Sequence, residues 1–357
     1  MTYKVNIINP CVDQRWDEFV KNHPWGWIVH LSGWKKVLES TFPHMRGHYF
    51  ALIDKETDTI KAGLPVYEVR SWLTGNRLVS IPFATLCDPL ISNEAQSEAL
   101  IMKAAELLVH LKCAYIEIRT HTNNSFFSNK PFGVNEEYKH HYLDLSRGEE
   151  TLWKNTSYKS IRYLINKAVK HNLQIKYAQN DQDLSAFYKL YTNTRKKLGL
   201  PAQPYAFFKG IFDEFKSSEQ ARILLACMDN RIICGHLHLN FNGRTSVEAM
   251  GEDSAFRNIG ANQFLYWQGI RMACAEGYRV FDFGRTSIHN PTLMDFKKRW
   301  GTVETNLNTY FYIHGQKQVV KFSGEKSLLY KLTRNMCKKS TDYFYLLLSR
   351  FCYHHLG

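Results

Sequence analysis

Apolar residues recur along this chain at two periods, near two and near 3.6, and their alternation predicts an order of strands and helices. Residues 3–8 alternate as a strand that Asn9-Pro10 ends, and residues 13–21 read as a short helix with Trp16, Phe19 and Val20 inward. Ser32 stands where it could cap a helix over 33–40, and a strand follows over 49–54. Residues 60–69 and 77–80 form strands of a meander around Thr74-Gly75-Asn76. They lead to an amphipathic helix over 94–111, a strand over 115–119 and a polar loop over 121–135. After the strand ending at 140–145, a long helix is predicted over 149–172, with Ile161, Leu164, Ile165, Ala168 and Val169 as its buried stripe. A strand over 174–177, helices over 184–198 and 205–215 and a hairpin of 222–228 with 232–240 complete this stretch.

The densest pattern lies between Ser246 and Thr302. A short strand over 247–250 meets the turn Arg257-Asn258-Ile259-Gly260-Ala261-Asn262, from which a helix starts. Phe264, Leu265, Trp267, Ile270, Ala273 and Cys274 make its apolar face until Gly277 ends it. A helix start after a glycine turn offers free backbone N–H groups to an anion. Val280, Phe281 and Phe283 then form a buried strand, and Arg285, Thr286, Ser287 and His289 gather at its C-terminal end, where α/β sheets place their sites. Glu248, a carboxylate inside an apolar strand, needs a partner such as Arg257 or Arg285, or serves as a general base.

Composition narrows the setting. A chain of 357 residues suits two domains, and 44% hydrophobic with 14% aromatic content provides for both cores. No secretory leader and no apolar run of membrane-spanning length is visible, and the eight cysteines form no C-x-x-C pair, so a cytoplasmic protein with reduced thiols is expected. No metal site is expected: His140 and His141 point to opposite faces of a strand, and His236 and His238 share a face but lack a third ligand. The net charge of +13 favours an anionic partner such as RNA, a phosphorylated substrate or an anionic membrane. The 149–172 helix carries a basic face of Lys154, Lys159, Arg162, Lys167 and Lys170, either solvated or turned to phosphates.

The turn resembles the R-x-x-G-x-A/G pyrophosphate loop of GNAT acyltransferases, with Asn262 at its last position. Taken with it, Gly260-Ala261-Asn262-x-x-Leu265-x-Trp267, Phe281-Asp282-Phe283-Gly284-Arg285-Thr286-Ser287 and Phe296-Lys297-Lys298-Arg299-Trp300-Gly301 resemble the FemABX aminoacyltransferases, especially the FemAB-like branch found beside exopolysaccharide genes. The resemblance implies an α+β fold of two tandem GNAT-like domains, each a mixed, mainly antiparallel sheet flanked by helices. They are expected over 1–147 and 148–321, followed by a basic, aromatic helical tail over 322–357 that packs on the first domain or touches an anionic membrane. FemX-type members carry a phosphate-contacting lysine where Leu38 stands here after Trp34-Lys35-Lys36-Val37, leaving Lys35 or Lys36 to substitute.

The same resemblance puts a substrate-contacting arginine at Arg195 and the reaction centre at Phe296-Lys297, with Asp295 beside it to orient the lysine or take a proton. Lys297, Phe296, Asp295 and Glu248 are therefore the catalytic candidates. Lys36, Arg195, Arg257, Gly260, Ala261, Asn262, Asp282 and Arg285 are the binding candidates. The activity implied is transfer of an acyl or aminoacyl group to an amine, without an acyl-enzyme, in cell-wall or extracellular polysaccharide synthesis. The donor would be aminoacyl-tRNA or acyl-CoA, with no tightly bound cofactor. The acceptor would be a small or lipid-linked saccharide or peptide. Two other readings stand beside it: acyl-CoA-dependent N-acetylation of an amino sugar, and a non-catalytic GNAT-fold module at a membrane surface. Fold alone does not choose among them.

Overall fold

The computed structural model describes residues 3–122, 125–128, 132–314 and 328–356. In chain order the elements are β1 (Tyr3–Ile8), α1 (Arg15–Asn22), α2 (Ser32–Thr41), β2 (Met45–Asp54), β3 (Ile60–Val69), β4 (Arg77–Val79), α3 (Glu94–His110), β5 (Ile116–Thr120) and α4 (Ser125–Ser128). There follow β6 (Gly133–Asp144), α5 (Glu149–Asn155), α6 (Tyr163–Lys170), β7 (Gln174–Tyr177), α7 (Asp181–Leu198), α8 (Tyr205–Phe215), β8 (Ala221–Met228), β9 (Arg231–Phe241) and β10 (Arg244–Glu252). The last are α9 (Ala261–Ala275), β11 (Val280–Ser287), α10 (Pro291–Lys298), β12 (Val303–Tyr312), α11 (Leu328–Lys339) and α12 (Asp342–His355).

The chain divides into two compact units, Met1–Tyr138 with Asn306–Ser323 and Phe351–Gly357, and Lys139–Thr305 with Gly324–Arg350. The first has strand order β1-β2-β3-β4-β5-β12 and the second β6-β11-β10-β9-β8-β7. Pairing is mainly antiparallel, as expected, with β4/β5 and β10/β11 parallel. In the first unit, Phe50, Leu64 and Val66 from the meander meet Leu100, Ala104 and Leu108 of α3 in one core. Ser32 does not cap α2. Leu31 holds that position, and the Ser32 amide and hydroxyl both bind Asp17, at 2.8 and 2.6 Å.

In the second unit α9 is buried on two sides. Phe264 and Leu265 enter one core with Leu224, Ile233 and Ala168, and Tyr266, Trp267 and Ile270 enter another with Phe281, Phe283 and Trp300. The single helix expected over 149–172 is broken. Thr156 turns its hydroxyl back on the Leu152 carbonyl (2.9 Å), the Ser157 amide leaves the helix for the Arg299 carbonyl (2.8 Å), and a π-turn over Tyr158–Arg162 restarts the chain as α6. The break rotates the expected stripe: Ile161, Ile165 and Ala168 are buried but Val169 is exposed. The closing helices divide between the units. In the second, Tyr345 of α12 donates to the Leu200 carbonyl (2.8 Å) and Lys196 pairs with Asp342 (2.6 Å). In the first, Tyr353 packs on Phe42 and Phe83, and His355 binds Ser71 (2.9 Å).

Candidate functional site

The site begins where two strands part. β10 and β11 pair in parallel only at Arg244↔Val280, Thr245↔Phe281 and Ser246↔Asp282, yet both strands continue, to Glu252 and Ser287. Two features pull β10 away. Its register with β9 shifts between Val247 and Ala249, so Glu248 is the extra residue of a β-bulge, a device that bends a strand. Farther on, Gly251 is pressed against α7, where an added Cβ would lie 2.3 Å from the Tyr191 nitrogen. As the extra residue, Glu248 falls outside the ladder's alternation of faces.

At the closed end of the wedge, Asp282 collects three donors: His140 Nε2 at 2.8 Å, Arg244 Nη1 at 2.7 Å and the Gly284 amide at 2.6 Å. Burial would raise its carboxyl, but these partners outweigh burial and hold it well below the usual carboxylate range. Asp282 is thus a fixed negative charge, and it reaches two further groups. Desolvation pushes the Glu248 carboxyl up to about 7, with the Asp282 charge adding to the rise, while a bond from Ser246 Oγ (2.7 Å) and the Arg285 charge oppose it. Desolvation lowers the Lys297 ammonium to about 7 against the pull of Asp282. Lys297 is 4% exposed and donates to the Gly284 and Arg285 carbonyls at 2.9 and 3.0 Å. Two of its three donors are so engaged.

The local sequence explains why Lys297 is there. Asn290 caps α10 by accepting from the Leu293 amide (3.1 Å), and Pro291 takes the first turn. One face of the helix is anchored by Trp300, which is fully buried beside Phe283, Tyr266 and Phe296. Phe296 packs 5.9 Å from Tyr266, while Asp295 stands exposed and Asp282 is the charge acting on Lys297. Near Lys297, both ring nitrogens of buried His141 lack hydrogen-bond partners. Its imidazole is lowered to about 4, by burial first and by the Lys297 charge second. The buried Thr286 hydroxyl also has no partner. Such orphaned groups are what a bound ligand satisfies.

The glycine turn has the strained form its sequence suggests. Gly260 lies at φ +86, and a Cβ there would come within 2.4 Å of the Leu164 carbonyl oxygen. Ala261 is fully buried, and Asn262 Oδ1 bonds His236 Nε2 at 2.8 Å. Arg257 is exposed, and its charge acts on Glu252 rather than on Glu248. Burial raises the Glu252 carboxyl, which also faces the Asn262 amide at the start of α9. Its Oε1 is buried without a partner.

Other candidates lie elsewhere. Arg195 binds the Pro201 carbonyl through Nε and Nη2 (3.1 and 2.9 Å), closing the turn between α7 and α8. Lys36 belongs to the first unit, on the exposed side of α2, and Leu38 beside it is fully buried. Among the described residues no cluster of three His, Cys, Asp or Glu could hold a metal. His140 and Arg244 were missed as site residues. His140 reaches Asp282 across 142 positions of sequence, a pairing no local pattern announces.

The parted parallel strands, the glycine turn and the helix it opens are the features of a GNAT-like fold. Residues 156–298 match the family described as Acetyltransferase (GNAT) domain. Over 94% of its length the chain is similar to the crystal structure of FemX, covering 100% of that chain at TM-score 0.72 and 16% identity. A tandem GNAT protein from the clavulanic acid biosynthesis pathway aligns over 88% of this chain and 99% of its own, at TM-score 0.56 and 10% identity. L-PGS from Bacillus licheniformis aligns over 85% and 93%, at TM-score 0.53 and 12% identity. At such identities the likeness is one of fold. No curated protein matches the chain.

Proposed function

We propose that the wedge transfers an aminoacyl or acyl group from an activated donor to an amine, with Glu248 as general base and Lys297 as the cation facing the developing oxyanion. The observation that carries this reading is that Lys297 bonds the Gly284 and Arg285 carbonyls of β11 while Glu248 stands at the bulge where β10 parts from that strand, with burial bringing each group to about 7. An acceptor amine must lose a proton, and a base titrating near neutrality suits that task. As the amine attacks, the C–N bond forms and its proton passes to Glu248. The tetrahedral oxygen takes the Lys297 donor not engaged by Gly284 and Arg285. Collapse breaks the ester C–O bond of an aminoacyl-tRNA or the C–S bond of a thioester, and the leaving atom is protonated by Lys297 or water. Phe296 and Trp300 hold α10 in place.

For the donor, one observation favours aminoacyl-tRNA: the Glu252 carboxyl already faces the α9 N-terminus that a pyrophosphate would use. Acyl-CoA is the second reading, favoured by the acetyltransferase match over residues 156–298 and by the turn at Gly260. The acceptor in this reading is a small or lipid-linked saccharide or peptide amine of cell-wall or exopolysaccharide synthesis. The enzyme would work in the cytoplasm, in peripheral contact with the membrane through its closing helices. The test titrates the purified chain with aminoacylated tRNA and with acetyl-CoA at two salt concentrations, then measures transfer to an amino-sugar or peptide amine. Tight, salt-sensitive tRNA binding supports the first donor and CoA binding the second. A folded Lys297→Ala protein that transfers as fast as wild type overturns the reading.

A further inference from the structure

The second of the closing helices, α12, turns Tyr345, Ser349 and Tyr353 inward, which leaves another apolar stripe outside. Tyr343, Phe344, Leu347 and Phe351 fall within about 100° of one another around a 3.6-residue helix. They are 70, 63, 46 and 47% exposed. A row of four large apolar side chains in water is the kind of surface that marks an interaction site.

The charges around it indicate the partner. Lys331, Arg334, Lys338 and Lys339 of α11 and Arg350 of α12 are all exposed, and Arg350 borders the stripe. The one acidic residue among 328–356, Asp342, is bound to Lys196. Aromatic and aliphatic side chains beside unopposed lysines and arginines fit the boundary between lipid head groups and acyl chains. Among the described residues no helix is long and apolar enough to cross a membrane, so this contact would lie along the surface. We propose that the outward stripe of α12 is a docking face for an anionic bilayer, inserted by Phe344, Leu347 and Phe351 and held by the flanking cations. This names the surface for the membrane contact suggested above and does not depend on the chemistry of the wedge.

The test is sedimentation of the full chain with vesicles of phosphatidylglycerol and, separately, of phosphatidylcholine. It compares wild type with a triple Phe344→Ser, Leu347→Ser, Phe351→Ser variant checked for fold by circular dichroism. Wild type is expected to bind phosphatidylglycerol at least tenfold more than phosphatidylcholine, weakening as salt rises, and the variant to lose tenfold or more of that binding. Transfer to a soluble acceptor by the variant should match wild type, which separates failure here from failure of the catalytic reading. Wild type left in the supernatant with phosphatidylglycerol overturns the proposal. So does a dimer, seen by analytical ultracentrifugation, that the triple substitution dissociates, because the stripe would then be covered by a second copy.

Discussion

Replacing Lys297 with methionine should stabilise the protein at neutral pH while abolishing transfer. The ammonium falls from an ordinary 10.5 to about 7 on burial. The unfolded chain therefore binds that proton more readily between those values, and folded stability rises with pH across the window. At pH 7 the mismatch costs about 4 kcal/mol, and by pH 9 it has shrunk to about 2 kcal/mol. Methionine keeps the buried stem but leaves the Gly284 and Arg285 carbonyls unpaired. At roughly 1 kcal/mol or slightly more for each carbonyl, the net gain from Lys297→Met is about 1–2 kcal/mol at pH 7, falling to about zero near pH 9. Urea unfolding of both proteins at pH 7, 8 and 9 reads that difference directly, because titrations common to the two cancel. A difference that stays flat within about 0.5 kcal/mol over this range would mean that Lys297 keeps an ordinary ammonium, and the site argument would fall.

Three further outcomes follow from the same geometry. Glu248→Gln should lower kcat by about a hundredfold or more and remove the acid-side limb of the bell-shaped profile expected when a base and an ammonium both titrate near 7, leaving donor KM little changed; full pH profiles of both proteins check this. Gly260→Ala forces a side chain into a φ of +86 and against the Leu164 carbonyl, and should cost roughly 2–4 kcal/mol in urea unfolding. His140→Ala removes a 2.8 Å partner from buried Asp282 and should cost about 3 kcal/mol at neutral pH. Because the Asp282 carboxyl is lowered, its contribution is present above the ordinary carboxylate value and is lost as pH falls toward the folded one. The deficit of the variant should therefore shrink in acid.

How much of this was legible in sequence depends on the range over which each feature is encoded. The β3 strand, β7, α8 and the Gly260 turn are written in neighbouring residues and came out as the pattern predicts. The break after α5 was hidden because Thr156 and Ser157 interrupt the helix by bonding to Leu152 and Arg299, while the apolar spacing runs on unchanged. α10 had a local signal, Asn290-Pro291, that the polar character of 285–290 obscured. In the site, the resemblance singled out Lys297, but a lysine in a Lys-Lys-Arg run carries no sign of burial. Only the placement of α10 under Trp300 takes that side chain out of water. The side-chain partners of Asp282, His140 and Arg244, come from β6 and β10, so their convergence belongs to tertiary structure alone.

The donor question narrows to Glu252. A helix N-terminus draws anions, and here the nearest anion is part of the chain: the Glu252 carboxyl, raised by burial, with Arg257 opposing the rise and the Asn262 amide turned toward it. A pyrophosphate brought to the start of α9 would meet that carboxylate, and two like charges held at a partly screened separation of roughly 6 Å cost about 2 kcal/mol or more. Glu252→Gln keeps the acceptor facing Asn262 and removes the charge. Acetyl-CoA should then bind at least tenfold more tightly than to wild type, measured by calorimetry, while affinity for aminoacylated tRNA stays level. Tight acetyl-CoA binding by wild type that the glutamine leaves unchanged would show that the pyrophosphate sits clear of Glu252, and the preference for the tRNA donor would be withdrawn.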